Sequence, residues 1–320
     1  MIKKKILLAD DMGTIHVSQP LSNVAVEFKQ PKNIWNEVMK PVPVDKENDT
    51  YYIFGDEDFR YHGKKRADGD PAVRILPFTA STDTYACIET AYDVLLTKRQ
   101  INKADKIVML KNRSTNRLMN IIDRDIEIEV AAEAFGASNY TGMTAAPSTK
   151  WDTKLTGSPI SDIDTAKTLV QAQIGIDPNV IVMGREVYDQ LKRHAELKEI
   201  VKYTKTAAFI TPELMASIFG VDKVVVGDQI YITSKPGQTT VTRSYVWGKS
   251  CALLYVPQAS AIDEPAWGYT FMHKLFGKLT AKVKNYPEHK LNGEILEASR
   301  SFVPKVTGKK AGYLYTTVVN

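Results

Sequence analysis

The sequence predicts an α+β protein, and three observations support this fold class. Residues 102–135 predict one long helix, because apolar residues recur at four-residue spacing through its second half. Residues 50–91 and 279–303 are rich in β-prone residues on either side of turn signals. Between them, residues 158–261 alternate strand and helix patterns, which is typical of a compact α/β unit.

Composition excludes several classes of protein. A chain of 320 residues is long enough for two packed units, and 43% hydrophobic residues argue against disorder throughout. The net charge of +5 comes from scattered basic residues with acidic ones between them, unlike the clustered charge of a nucleic-acid-binding module. Neither a signal peptide nor a membrane-spanning helix is expected, so we predict a soluble protein that is cytosolic where it is made. Cys87 and Cys251 are expected to be buried thiols rather than a disulfide or a nucleophile.

Residues 1–49 show no sustained periodicity and predict an N-terminal arm. Four prolines separate their short apolar runs, so this segment cannot close a core of its own. Trp35, Val38 and Met39 are costly to leave in water. We therefore expect the arm to dock on another surface, and Trp35 is a candidate contact to a neighbouring subunit.

Residues 50–91 predict a long two-stranded hairpin. Tyr51–Phe54 and Ala72–Ile75 form its strands, and Ala67–Asp70 supplies a turn. A lone hairpin of this size is marginal in water. Its tip either is a solvated loop or lies on a neighbouring copy of the protein, with charges paired across the junction. The candidate contact residues of the tip are Asp56, Glu57, Asp58, Arg60, Lys64, Lys65 and Arg66.

Residues 89–96 predict a short helix that leads into the long one. Asn102 is expected to cap the long helix, and Gly136 follows its end. The polar stretch 111–117 interrupts the apolar side, so the middle of the helix need not be buried deeply. The apolar stripe of the second half consists of Leu118, Ile122, Ile126 and Val130.

The second half of this helix also carries an acidic run, and its alternation of apolar and acidic residues suits a strand as well. Helix is preferred because good helix formers follow. On a helix the acidic side chains point in several directions. We therefore predict a solvated face with ion pairs rather than a metal site for Asp123, Asp125, Glu127 and Glu129.

The α/β unit spans residues 158–263. Its predicted helices are Asp162–Ile174, Arg185–Tyr203 and Thr211–Phe219, the last capped by Thr211 with Pro212 at the first position. Its predicted strands are Val180–Met183, Lys223–Val226, Tyr245–Trp247 and Ala252–Tyr255. Further along, Leu279–Tyr286 and Glu294–Val303 predict a hairpin across Asn292 and Gly293, and a β-prone tail follows at 311–319.

No pattern of catalytic chemistry emerges from the sequence. Gly248, Lys249 and Ser250 lack the upstream glycine of a phosphate-binding loop, so they predict a turn between strands. The five histidines share no ligand spacing, and His194 is expected to have a surface or helix-packing role. We assign no catalytic, metal or cofactor site. An α/β hydrolase-like enzyme using Asp162, Asp164 or His194 is a poor alternative.

Five stretches together resemble the major capsid proteins of tailed bacteriophages that share the HK97-like fold. The run Pro-Asn-x-x-Val-Met-Gly at 178–184, followed by Val-Val-Gly and then Trp-Gly segments, is the most specific part. The resemblance covers most of the chain after Tyr51. The matching stretches are 51–75, 149–166, 178–197, 210–227 and 244–255.

The resemblance implies a domain organisation. Residues 1–49 would be the N-terminal arm, 50–91 the extended loop that reaches over a neighbour, and 158–263 the axial domain around hexamer and pentamer centres. Residues 92–157 and 264–320 would form the peripheral domain, with helix 102–135 as its spine. The arm is too short to contain a cleaved scaffolding region, so a separate scaffolding protein is expected. The lysine and asparagine of the family's covalent crosslink cannot be placed.

The function implied is that of a structural subunit, not an enzyme, that self-assembles into an icosahedral shell around double-stranded DNA. Expected partners are other copies of the chain and, as further proteins, a scaffolding protein, a decoration protein and a portal. The location would be the virion, with assembly in the cytoplasm of the host bacterium and no membrane contact. The alternatives are an encapsulin-like nanocompartment shell and a basic DNA-binding module.

Overall fold

The structure, a computed structural model, describes residues 33–53, 81–103, 107–153, 155–202, 210–235, 237–258, 266–274 and 280–320. The helices are α1 Trp35–Val38, α2 Lys98–Lys103, α3 Ile107–Ala134, α4 Pro159–Ile174, α5 Arg185–Leu191, α6 Ala195–Val201 and α7 Pro212–Phe219. The strands are β1 Lys40–Val44, β2 Asn48–Ile53, β3 Ser81–Ala86, β4 Ile88–Thr97, β5 Thr144–Ala145, β6 Val180–Gly184, β7 Lys223–Gly227, β8 Ile230–Ile232, β9 Arg243–Tyr245, β10 Cys251–Leu254, β11 Gly268–His273, β12 Ala281–Glu288, β13 Gly293–Val306 and β14 Gly312–Tyr315.

The chain divides into two compact units. One contains Glu89–Ile122 and Lys274–Ser301, and the other contains Gln30–Ile88, Asp123–His273 and Phe302–Asn320. Helix α3 contributes residues to both. The mixed helix and strand content confirms the α+β class. Within the part of the chain that is described, no helix combines the length and the hydrophobicity needed to cross a bilayer.

The first unit is built around the antiparallel hairpin of β12 and β13. Asn292, in the left-handed region at φ 47°, and Gly293 turn the chain as predicted. Strand β4 also pairs with β13, so the predicted helix at 89–96 is wrong. Glu, Ala and Leu in this segment favour helix, but pairing with β13 satisfies its backbone and overrides that propensity.

Helix α3 keeps the predicted apolar stripe, because Leu118, Ile122, Ile126 and Val130 are all buried. Its predicted start is wrong, since Asn102 lies inside the separate helix α2. The residue that caps α2 is Thr97, whose hydroxyl accepts from the Gln100 N–H at 3.3 Å, while the Gln100 side chain accepts from the Thr97 N–H at 3.1 Å. This reciprocal pair is a capping box.

The middle of α3 is more deeply buried than predicted. Thr115 is 0% exposed. Lys111 forms an ion pair with Glu294 of β13, with 2.5 Å between nitrogen and oxygen. Thr115 and Lys111 of the polar stretch 111–117 therefore pack within the first unit, whereas Arg113 and Arg117 are exposed.

The second unit contains a sheet in the order β5-β14-β10-β6-β7. Strands β6 and β7 are parallel and β10 runs antiparallel to β6, so the predicted strands Val180–Met183 and Lys223–Val226 are confirmed as neighbours. Strand β14 joins this sheet through β10. Residues 312–315 thus share a sheet with the predicted axial domain, which differs from the sequence-based assignment of 264–320 as a whole.

Helices flank this sheet, and one predicted helix and one predicted strand differ from the prediction. Helix α7 starts as predicted, with Thr211 accepting from the Leu214 N–H at 3.4 Å. Residues 185–203 do not form one helix, because His194 takes an extended conformation and its Nδ1 accepts from the Glu196 N–H, which caps α6. Trp247 lies beyond the end of β9 rather than within a strand.

Candidate functional site

The most elaborate polar site in the described residues surrounds Glu127 of α3. Its side chain is 0% exposed. One carboxylate oxygen, Oε2, accepts from the backbone N–H groups of Ile34 and Trp35 at 3.0 and 2.9 Å. The other, Oε1, accepts from the indole N–H of Trp247 at 2.5 Å. One carboxylate therefore ties together the N-terminal arm, the long helix and the segment before β10.

Two glycines make room for Trp247. A Cβ at Gly227, the last residue of β7, would lie 2.0 Å from the Trp247 ring. A Cβ at Gly184, the last residue of β6, would lie 2.0 Å from the Gly248 carbonyl oxygen. The Met-Gly, Val-Val-Gly and Trp-Gly segments, which carried the resemblance, are thus three parts of one packing arrangement. Phe135 contacts the indole edge-on, with ring centroids 5.4 Å apart.

The arm docks on its own chain through residues 33–44. Trp35 is 8% exposed and Val38 and Met39 are fully buried, so the prediction that this segment docks is confirmed. Asn33 accepts a hydrogen bond from Gln229. Strand β1 then pairs in parallel with β11. Because Trp35 is covered within its own subunit, its contact with a neighbour stays a prediction.

Glu127 is held between opposing influences on its pKa. Burial raises the pKa from 4.5 to about 7, the three N–H donors lower it, and Asp123 one turn earlier raises it. The prediction of a solvated acidic face is therefore wrong for Asp123 and Glu127, which are both buried. No metal site exists among the described residues, where no group of His, Cys, Asp or Glu is arranged to hold an ion.

The raised pKa of Glu127 predicts that the stability of the protein depends on pH. Since the pKa is raised on folding, the group's stabilising contribution is complete below about pH 4.5 and is lost as pH rises through about 7. Between these values the wild type should lose ~3 kcal/mol of unfolding free energy relative to Glu127→Gln, which does not titrate. Denaturant unfolding of both proteins from pH 5 to 8 measures the difference. A difference that stays constant over this range would contradict the assignment.

A second site is the base of the predicted hairpin. Strands β2 and β3 pair antiparallel, and Tyr51 and Tyr85 place their rings 5.5 and 4.5 Å from Phe271 of β11. The Tyr51 hydroxyl donates to Asp83 at 3.0 Å. This aromatic cluster fixes the two strands from which residues 54–80 depart and to which they return. The predicted second strand, Ala72–Ile75, lies outside the described residues.

The candidate tip contacts cannot be placed, because they also lie outside the described residues. They are Asp56, Glu57, Asp58, Arg60, Lys64, Lys65 and Arg66. Two of the three residues proposed for the enzyme alternative have structural roles, and Asp164 is exposed. Asp162 accepts from the Trp151 indole at 2.8 Å, and His194 caps α6. Burial raises the pKa of Cys87 to about 11 and that of Cys251 further, and both are free buried thiols as predicted.

Comparisons with known proteins find matches among phage capsid proteins. The family model described as "Phage major capsid protein E" matches residues 120–257, which include Glu127, Gly184, Gly227 and Trp247. The major capsid protein of Burkholderia phage BcepMu is 26% identical over 309 residues, covering 94% of this chain and 96% of the relative. These matches confirm the resemblance to phage major capsid proteins that the sequence showed. The chain is a structural subunit of a phage capsid shell.

Solved structures agree with the predicted fold. A phage-related protein from Bordetella bronchiseptica RB50 is 26% identical, with a TM-score of 0.76 and coverage of 94% of this chain and 97% of that one. The mature capsid of bacteriophage PhiM1 shares the fold at 12% identity, with a TM-score of 0.54 and coverage of 90% and 88%. The HK97-like fold predicted from the sequence is thus confirmed.

Sequence reasoning missed the Glu127–Trp247 site. A signal was present: Asp123 and Glu127 are four residues apart and each directly follows a residue of the apolar stripe, Ile122 and Ile126. Residues next to a buried stripe on a helix lie at its edge, where a second packed element covers them. The partner was not visible in the sequence, because Trp247 is separated from Glu127 by 120 positions.

Proposed function

We propose that this capsid protein forms the hexamers and pentamers of an icosahedral shell that encloses the double-stranded DNA of a tailed bacteriophage. The observation that carries the proposal is the anchored base of the hairpin. Strands β2 and β3 are clamped on Phe271, while the residues that join them, 54–80, carry dense charge of both signs. A limb anchored in this way supplies contact area to a neighbour without needing a core of its own.

We assign different segments of the chain to different parts of the shell subunit. We assign residues 1–49 to the arm, 50–91 to the extended loop and 158–263 to the axial domain, with strand β14 completing the axial sheet. Residues 92–157 and the rest of 264–320 would form the peripheral domain. The modest net charge of +5 suits a shell that must contain DNA yet release it, because tight phosphate binding would impede packaging and ejection.

Expression of the protein alone and together with its candidate scaffolding partner tests assembly. Electron microscopy should show closed shells. We propose that these shells form in the cytoplasm of the host. The nucleic-acid content of purified virions separates the genome shell from an encapsulin-like compartment, which would hold protein cargo instead. Portal and decoration proteins are proposed as further partners. Particles that contain cargo protein and no DNA would contradict the proposed function.

The tip of the hairpin gives a sharper prediction. Reversing Arg60 and Lys64 together to Glu should block shell formation while leaving the subunit folded, because the tip charges would then repel their partners across the subunit boundary. Particle yield after gradient sedimentation measures the effect, and thermal unfolding of the free subunit checks the fold. The matched control, Arg60→Lys with Lys64→Arg, keeps both charges and should assemble. Normal shells from the reversed variant would refute the role of the tip.

A further inference from the structure

A small two-stranded sheet presents an unusually apolar face to solvent. Strands β8 and β9 pair so that Ile230 faces Tyr245 and Ile232 faces Arg243, which places these four side chains on one face. Ile230, Ile232 and Tyr245 are 48%, 58% and 40% exposed. Val241, in alternation with Arg243 and Tyr245, is exposed as well. We call Ile230, Ile232, Val241 and Tyr245 the hairpin ridge.

Isolated apolar side chains on a surface need no explanation, but a cluster on one face does. A sheet of only two strands is marginally stable in water, and the apolar side chains of this sheet face solvent. Since the chain is a shell subunit, the abundant surface available to cover the ridge is a second copy of the chain. The occupant should present apolar side chains and negative charge, because residues 229–245 contain Lys235 and Arg243 but no acidic residue.

The outer face of α4 has both properties. Leu169 and Ala172 lie three residues apart on α4, Ile176 lies in the turn that follows the helix after Gly175, and all three are exposed. We call these three the helix stripe. Asp177, directly after Ile176, is exposed, and so is Asp164, which lies one turn before Thr168 on the solvent side of α4. The one lysine of α4, Lys167, is turned away and donates to the carbonyl oxygens of Phe219 and Gly220 at 2.9 and 3.0 Å.

The two patches depart from opposite ends of one strand pair. Strands β6 and β7 are parallel, with Val180 beside Lys223 and Gly184 beside Gly227. Ile176 precedes the start of β6, whereas Ile230 follows the end of β7, so about 16 Å of strand separates these ends. Two different, complementary patches on one subunit give a head-to-tail contact, and such contacts close into rings when the rotation allows it.

We infer that the hairpin ridge of one subunit packs on the helix stripe of the next subunit around a hexamer or pentamer. The inference rests on the proposed function, because it needs a ring of copies. Apolar contact would supply most of the affinity, and Lys235 and Arg243 would face Asp164 and Asp177 of the neighbour.

A cysteine pair tests the contact. Particles are assembled from a variant with Ile232→Cys and Leu169→Cys and are then oxidised. A non-reducing gel should show a covalent ladder that ends at five or six chains, since each subunit links to the next. The native cysteines are buried and stay silent. The matched control replaces Leu169→Cys by Leu155→Cys, at a side chain that is 87% exposed outside the stripe, and should give no ladder.

A charge exchange provides an independent readout. Lys235→Glu with Arg243→Glu should lower particle yield at least about tenfold, while Asp164→Lys with Asp177→Lys in the same chain should restore it. The inference would be overturned if the wild type formed particles, the cysteine variant gave no covalent ladder and the Lys235→Glu, Arg243→Glu variant assembled fully. The proposed function would still stand in that case. Failure of the wild type to form particles under any condition would overturn both.

Discussion

Replacing Glu127 with alanine is expected to detach the N-terminal arm from the rest of the subunit. The substitution leaves three buried donors, the N–H groups of Ile34 and Trp35 and the indole N–H of Trp247, without their acceptor. Each buried unpaired donor costs about 1–3 kcal/mol, and removal of a carboxylate that is costly to bury offsets part of this. We expect a net loss of ~3 kcal/mol in unfolding free energy, measured by denaturant unfolding of the free subunit.

Limited proteolysis separates local detachment from general destabilisation. In the alanine variant, cleavage should appear first between residues 33 and 44, because Trp35, Val38 and Met39 lose their docking site. Glu133→Ala, on the same helix, is a matched control, since the Glu133 carboxylate is only partly buried and bonds to the Asn139 side chain. If Glu127→Ala unfolded at the same denaturant concentration as the wild type, the carboxylate would not be what holds the arm.

Replacing Gly227 with valine should disrupt the sheet β5-β14-β10-β6-β7 next to Trp247. Even the first carbon of the new side chain would lie 2.0 Å from the Trp247 ring, far inside contact distance. Trp247 is fully buried, so it can yield only by moving away from Glu127 or by displacing β7. Overpacking of a core typically costs about 1–3 kcal/mol, and the loss of the Trp247–Glu127 hydrogen bond adds to it. We expect a loss of ~4 kcal/mol in unfolding free energy, or protein that is insoluble.

The control for this variant lies close by in the sequence. A Cβ at Gly248 would meet no atom within 4 Å, so Gly248→Ala should leave stability nearly unchanged. Thermal unfolding, and the tryptophan fluorescence of the buried indole, compare the two variants. Equal melting temperatures for Gly227→Val and Gly248→Ala would show that the close approach of Gly227 and Trp247 is not a constraint on the fold.

Local signals predicted the features that depend on neighbours in the sequence. The four-residue stripe on α3, the cap at Thr211 and the turn at Asn292 each rest on contacts within a few residues, and the structure shows all three. The Met-Gly, Val-Val-Gly and Trp-Gly segments, through their resemblance to phage capsid proteins, predicted the fold. The glycines of that motif, Gly184 and Gly227, then proved to be close approaches around Trp247.

Features that depend on distant partners were missed. Strand β4 has helix-forming residues but pairs with β13, and nothing near it in the sequence specifies that partner. Glu127 looks solvent-facing in an alternating acidic run, yet donors from positions 34, 35 and 247 converge on it. The break at His194 depends on a single extended residue inside an otherwise helical pattern. In each case tertiary contacts override a local preference.

We propose that each subunit binds its own N-terminal arm and that its hairpin contacts a neighbouring subunit. A cryo-electron microscopy reconstruction of the assembled particle, with every chain traced, tests it most directly. The account predicts a closed shell in which residues 33–44 lie against Glu127 of the same chain and residues 54–80 lie on an adjacent chain. A protein that stays monomeric at high concentration, or a shell whose hairpins fold back on their own subunits, would contradict it.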